Sequence, residues 1–182
     1  MGHFIQDSAV RMQIESCLLP EIWGERSKDC VIDTVVLHAM HAGVVYPQAP
    51  FSADNCIQIL KDYDVSAHYL IERNGKILNL VPEEKKAWHA GVSKMPSPDN
   101  RDGVNDFSIG IELIGNEEEA FTNEQYDALN YLLADIKKRR KITSAVGHQH
   151  IATQELVNAG LRKDAKWDPG KMFDWKRVGL GT

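Results

Sequence analysis

Two short apolar runs constrain this chain more than any other feature: residues 31–37 (VIDTVVL) and residues 107–114 (FSIGIELI). Each has the length and β-branched character of a buried strand. Each also carries a polar residue where a strand can least tolerate one. His38 closes the first run, at the start of a loop, and Glu112 lies inside the second. A carboxylate among such neighbours is costly to bury without a partner. In a strand, Ile111 and Leu113 point to the face opposite Glu112, so Glu112 projects into a polar cleft or into a structural ion pair.

The remaining pattern intermixes helices with strands. Residues 52–63 read as a helix that Ser52 can cap, with Cys56, Ile57, Ile59 and Leu60 as its apolar face. Residues 67–73 and 76–81 flank Asn74-Gly75, a pair suited to a type I′ turn, and predict a β-hairpin. Residues 95–103 read as a surface loop. Residues 122–140 form the longest predicted helix, with Thr122 and Gln125 as a capping box and Tyr126, Leu129, Leu132, Leu133 and Ile136 as one stripe. A short strand follows at 142–146, and Thr153 and Gly160 can start and stop a short helix. Residues 1–30 read as an N-terminal arm with one helical stretch, leaving 31–182 as the main domain. The expected class is α/β (mixed α+β), a single domain with a central mixed sheet flanked by helices.

Composition removes several functions. The 182 residues carry 21 Lys plus Arg against 26 Asp plus Glu, a net charge of −5, which disfavours a nucleic-acid partner. The one basic cluster, 137–141, ends a predicted helix, where cations suit the dipole and solvent. No apolar run has membrane-helix length. Within residues 1–20 the longest apolar run is Cys17-Leu18-Leu19, too short for a signal peptide. A cytoplasmic protein is therefore expected. Three cysteines without close spacing suggest neither a disulfide framework nor a Cys-rich metal site.

Seven histidines are the unusual count. Zinc accepts imidazole nitrogen and carboxylate oxygen, and a catalytic site keeps one position for water. Histidine number alone leaves a core or surface role open for each. The order of the motifs is more specific: VVLH at 35–38, SAHYLIERNGKILNLVPEEKKAWHAG at 66–91, NDFSIGIELIGN at 105–116, GHQHIA at 147–152 and KWDPGKMFDW at 166–175. This series closely resembles the type 2 N-acetylmuramoyl-L-alanine amidases, the AmpD-like zinc enzymes of the superfamily that includes phage amidases and animal peptidoglycan recognition proteins.

The resemblance implies a zinc ion held by His38, His148 and Asp168, with Glu112 as catalytic acid/base and Lys166 beside the reacting carbonyl. It implies hydrolysis of the amide between N-acetylmuramic acid, or its 1,6-anhydro form, and L-alanine of the stem peptide. Peptidoglycan or muropeptide is then the partner, and the protein acts as a monomer. A muropeptide-binding module without catalysis is the alternative, and a phage lysin or a protein exported without a signal peptide is the alternative to cytoplasmic recycling. His89, Arg73 and Arg101 are candidate substrate contacts. His41 and His68 read as loop and structural residues, His3 as an exposed terminal residue, and His150 stands where the family often has Asp. Between His148 and Lys166 the chain is longer than the family pattern, and residues 153–165 are expected to wall the cleft and tune substrate choice.

Overall fold

The apolar runs become the centre of a sheet. In the computed structural model, which describes residues 12–179, eight strands and four α-helices follow one another along the chain. The strands are β1 Ile14–Ser16, β2 Trp23–Glu25, β3 Thr34–Met40, β4 Tyr69–Ile71, β5 Ile77–Asn79, β6 Lys85–Ala87, β7 Ser108–Ile114 and β8 Ser144–Gly147. The helices are α1 Ala53–Asp62, α2 Asn123–Arg139, α3 His148–Ile151 and α4 Gln154–Asn158. Six strands pair in the order β1-β5-β4-β7-β3-β8, and β2 pairs separately with β6. β3 runs parallel to β7 and β8, whereas β4 and β5 are antiparallel, so the sheet is mixed as expected.

The first central strand is longer than its apolar run. Residues 38–40 continue it because β7 supplies a ladder to the end: His38 pairs with Glu112, Ala39 with Leu113 and Met40 with Ile114. His38 thus sits within a strand, not in the loop expected after residue 37. Registered residues of parallel neighbours share a face. One face carries Val35, Leu37, Ile109, Ile111 and Leu113, which pack with Leu129, Leu132, Leu133 and Ile136 of α2. Each such fully buried side chain contributes about 1.5–3 kcal/mol. The other face carries His38 and Glu112, with Leu70 and Ile114 packed on α1 at one end and Val36, Val104 and Ile151 clustered at the other.

Local chemistry explains the helix ends. Ser52 Oγ accepts from Asn55 N–H, and Thr122 and Gln125 complete the capping box. At the end of α4, Gly160 N–H donates to Val157 O and Leu161 N–H to Leu156 O, a Schellman closure. Two expectations need correction. The hairpin turn is not type I′: Gly75 N–H donates to Glu72 O, Glu72 N–H donates to Lys76 O, and only Gly75 has positive φ (83°). That is the three-residue loop in which glycine takes the left-handed position. Among described residues 12–30 there is no helix. β1 instead forms an edge of the main sheet beside β5, and β2 pairs with β6. Residues 1–11, with His3, lie outside the described residues. In the basic cluster, Arg139 and Arg140 reach back to the buried Glu83 carboxylate at 2.8 and 3.1 Å, so two of its cations serve the fold.

Candidate active site

Strand register builds the site. His38 on β3 lies beside Glu112 on β7, and Leu37 pairs with Gly147, which places His148 next after β8 on the same side. Asp168 arrives from the segment after α4; its carbonyl accepts from Gln149 N–H at 2.9 Å, tying that segment to α3. Asp168 Oδ2 lies 3.1 Å from His38 Nδ1 and 3.2 Å from His148 Nδ1. One donor atom from each of the three residues falls within 4.8 Å of the others, and all three residues are buried.

This cluster fits a metal ion by its donor chemistry. His148 Nε2 lies 3.2 Å from the Ala90 carbonyl, which can only accept, so that nitrogen carries the proton and Nδ1 is a bare lone pair. Acceptor atoms therefore converge on one point and call for a cation between them. Glu112 supplies a second indication: its Oε2 is buried with no hydrogen-bond partner, a costly state that a bound water or substrate group would relieve.

The electrostatics follow from burial and proximity. Burial, with His148 adding to it, pushes the His38 imidazole down to about 4 against the pull of Asp168, so it is neutral near pH 7. Burial and the neighbouring Asp168 push Glu112 well above the usual carboxylate range, which suits a group that must hold a proton. A cleft of about 630 Å³ opens on these residues and is lined also by Trp88, His89, Arg162 and Lys166.

Five residues named from the sequence thus meet at one cleft: His38, Glu112, His148, Lys166 and Asp168. The candidate substrate contacts fare differently. Arg73 lies outside the cleft lining, with its guanidinium over the Phe51 ring and an ion pair to Glu119 at 3.6 Å. Arg101 is also outside it, stacked at 3.8 Å on Phe107 and bonded to Asp33 and Asp99. Both are drawn away by local carboxylates. His89 borders the cleft, but both of its ring nitrogens are engaged inside the protein, with His38 and with Ser108. His150 Nδ1 accepts from Gly147 N–H at 2.9 Å and His41 Nδ1 from Gly43 N–H at 3.1 Å, so neither joins the cluster. His68 is buried, accepting from Gly110 N–H.

Arg162 is a charged cleft residue that the motifs did not reveal. It belongs to the 153–165 segment, and its guanidinium holds the carbonyls of Ala90, Val92 and Asp164. It is the one arginine of that segment, and this was the available clue.

A mixed sheet that brings two imidazoles, a carboxylate and the partnerless Glu112 Oε2 to one cleft has the donor set of a metal-site hydrolase. The chain belongs to the N-acetylmuramoyl-L-alanine amidase family, whose profile matches residues 28–171. It is 39% identical over 144 residues to the 1,6-anhydro-N-acetylmuramyl-L-alanine amidase AmpD of Escherichia coli K12, covering 78% of this chain and 69% of that protein. The crystal structure of a selenomethionine AmpD derivative superposes with a TM-score of 0.71 at 31% identity, covering 90% of this chain and 91% of the other. E. coli AmiD, solved with anhydro-N-acetylmuramic acid-L-Ala-D-γ-Glu-L-Lys, gives a TM-score of 0.64 at 28% identity, covering 86% and 64%.

Proposed function

We propose that this chain is a zinc-dependent amidase that cleaves the bond between the lactyl carbonyl of N-acetylmuramic acid and L-alanine of the stem peptide. The convergence of His38, His148 and Asp168 beside the partnerless Glu112 Oε2 carries the reading. Bound zinc would polarise the scissile carbonyl and lower the pKa of water to about 7. Glu112 takes the proton of the attacking water on Oε2 and returns it to the leaving amine nitrogen. Burial that favours its protonated form makes it a base strong enough for the first task. Lys166 sets a positive charge beside the developing oxyanion.

The preferred substrate is the soluble 1,6-anhydro-muropeptide, on the strength of the AmpD likeness. The domain that acts is 31–182, and the described residues 12–30 add β1 to the edge of its main sheet and β2 beside β6. It works as a monomer and in the cytoplasm. Among the described residues, no helix is long and apolar enough to cross a membrane.

Purified protein, with zinc and separately with chelator, should be given anhydro-muropeptides and intact sacculi, with products read by mass spectrometry. Chelator-sensitive release of stem peptide from the soluble fragments is the expected result. Release from sacculi instead would move the assignment to wall degradation. Binding without release from either would leave a recognition module.

A further inference from the structure

We propose that His89 is a positioning residue that fixes His38 as a ligand through Nδ1, by a proton chain whose direction is set at a backbone carbonyl. The inference rests on the zinc reading above. The chain starts at the far end. Ser108 Oγ lies 2.6 Å from Val104 O, which can only accept, so the hydroxyl donates there. Its lone pair then faces His89 Nε2 at 3.1 Å, and that nitrogen must carry the ring proton. His89 Nδ1 is left as an acceptor, 2.9 Å from His38 Nε2. His38 therefore holds its proton on Nε2 and presents a bare Nδ1 toward Asp168, 3.1 Å away. A metal-bound imidazole needs such a partner on its other nitrogen, which fixes tautomer and ring angle.

The surroundings hold His89 to this one task. Its backbone N–H and that of Ala90 both donate to Asn105 Oδ1, at 3.2 and 2.9 Å. Its ring occupies space that only glycine leaves at position 110, where a Cβ would stand 2.5 Å from His89 Cγ. Ala90, the next residue, supplies the carbonyl that faces His148 Nε2. Two adjacent residues thus set the proton positions of both histidine ligands.

The test separates an acceptor at Nδ1 from mere filling of space. Asparagine places its side-chain oxygen near the position of Nδ1, glutamine places its amide near that of Nε2, and leucine offers no acceptor. Zinc affinity is measured by chelator competition for wild type, His89→Asn, His89→Gln and His89→Leu, with melting curves to confirm the fold. The expected result is about 10- to 100-fold weaker zinc binding in the Gln and Leu variants, near-wild-type binding in the Asn variant, and kcat recovered in all three by saturating zinc. Wild-type affinity in the Gln and Leu variants overturns the proposal, as does equal loss in the Asn and Leu variants. Should the variants not fold, ¹⁵N-histidine NMR of the zinc-loaded wild type decides. A proton on His38 Nε2 coupled to His89 Nδ1 supports the chain, and a proton on His38 Nδ1 refutes it. A wild type that takes up no zinc would refute the zinc reading itself, whereas normal wild-type uptake with indifferent variants refutes the role of His89 alone.

Discussion

The two faces of β3 and β7 share one hydrogen-bonded ladder and carry opposite chemistry. On one face Val35, Leu37, Ile109, Ile111 and Leu113 meet α2 in an apolar layer. On the other, one residue along, His38 and Glu112 stand side by side at the floor of a cleft. Alternation along a strand makes this possible, because neighbours in sequence never share a face. The difference teaches that the reactive face is held still by the packed one. Burying an imidazole and a carboxylate costs free energy, and the packing beneath the same strands offsets that cost.

The sharpest way to break this division is to change one group on the reactive face at a time. Glu112→Gln should lower kcat by about 10²- to 10⁴-fold, the usual contribution of a general acid/base, while zinc stays at one per chain by elemental analysis. His38→Ala should lose both turnover and metal. Equal metal loss in the two variants would mean that Glu112 belongs to the ligand set.

A substitution on the packed face should do the reverse. Ile111→Ala removes a fully buried side chain beside Glu112 but pointing at α2. The expected destabilisation is about 2–5 kcal/mol by urea unfolding, with zinc affinity and kcat of the folded protein unchanged. A large fall in kcat at retained stability would show that the two faces are not independent.

How much of this division was legible follows from the type of information each part needs. The two central strands, the helices with Ser52 and Thr122 caps and the apolar stripe of α2 are local patterns, and residue type and spacing encode them. His38, Glu112, His148, Lys166 and Asp168 were readable as a group only through motif order, since nothing local brings residue 38 to residue 168. Arg73 and Arg101 lie outside the cleft lining, held by Glu119 in one case and by Asp33 and the nearby Asp99 in the other, and only the Asp99 contact was close enough in sequence to be read. The N-terminal strands were missed because their partners are distant in sequence. A three-residue strand such as β1 exists because β5 is there to pair with it, not because of its own composition. The turn at Asn74-Gly75 was right in place and wrong in type, because loop length depends on where the flanking ladder closes.

Acid should expose the reactive face selectively. His68 is fully buried there, accepting from Gly110 N–H, and burial together with Arg26 pushes its imidazole down to about 3. In the unfolded chain a histidine takes up its proton near pH 6.5. The unfolded state therefore binds more protons between those values. Stability is complete above about pH 6.5 and is lost as the pH falls toward 3. Between pH 7 and pH 5 this one group should remove about 2 kcal/mol. His68→Asn, which keeps an acceptor for Gly110 N–H, should flatten the pH dependence of urea unfolding by that amount. An unchanged slope would mean that His68 is already protonated in the fold.

The smallest effect is expected where the reactive face meets the 153–165 segment. Arg162 ties that segment to the loop at 90–92 through the Ala90 and Val92 carbonyls, and Ala90 is also the residue whose carbonyl faces His148. Its burial is partial, so water can replace much of what the guanidinium provides. Arg162→Leu should therefore cost about 1 kcal/mol of substrate binding, seen as a roughly fivefold rise in KM for muropeptide. The zinc content should not move, because His148 Nε2 still has its carbonyl. Shortening 153–165 should shift KM or substrate preference further in the same direction. If Arg162→Leu instead lowered zinc affinity, the segment would be a support for the ligands and not a wall of the cleft. If neither change altered kinetics on any muropeptide, the added residues would have no part in substrate choice.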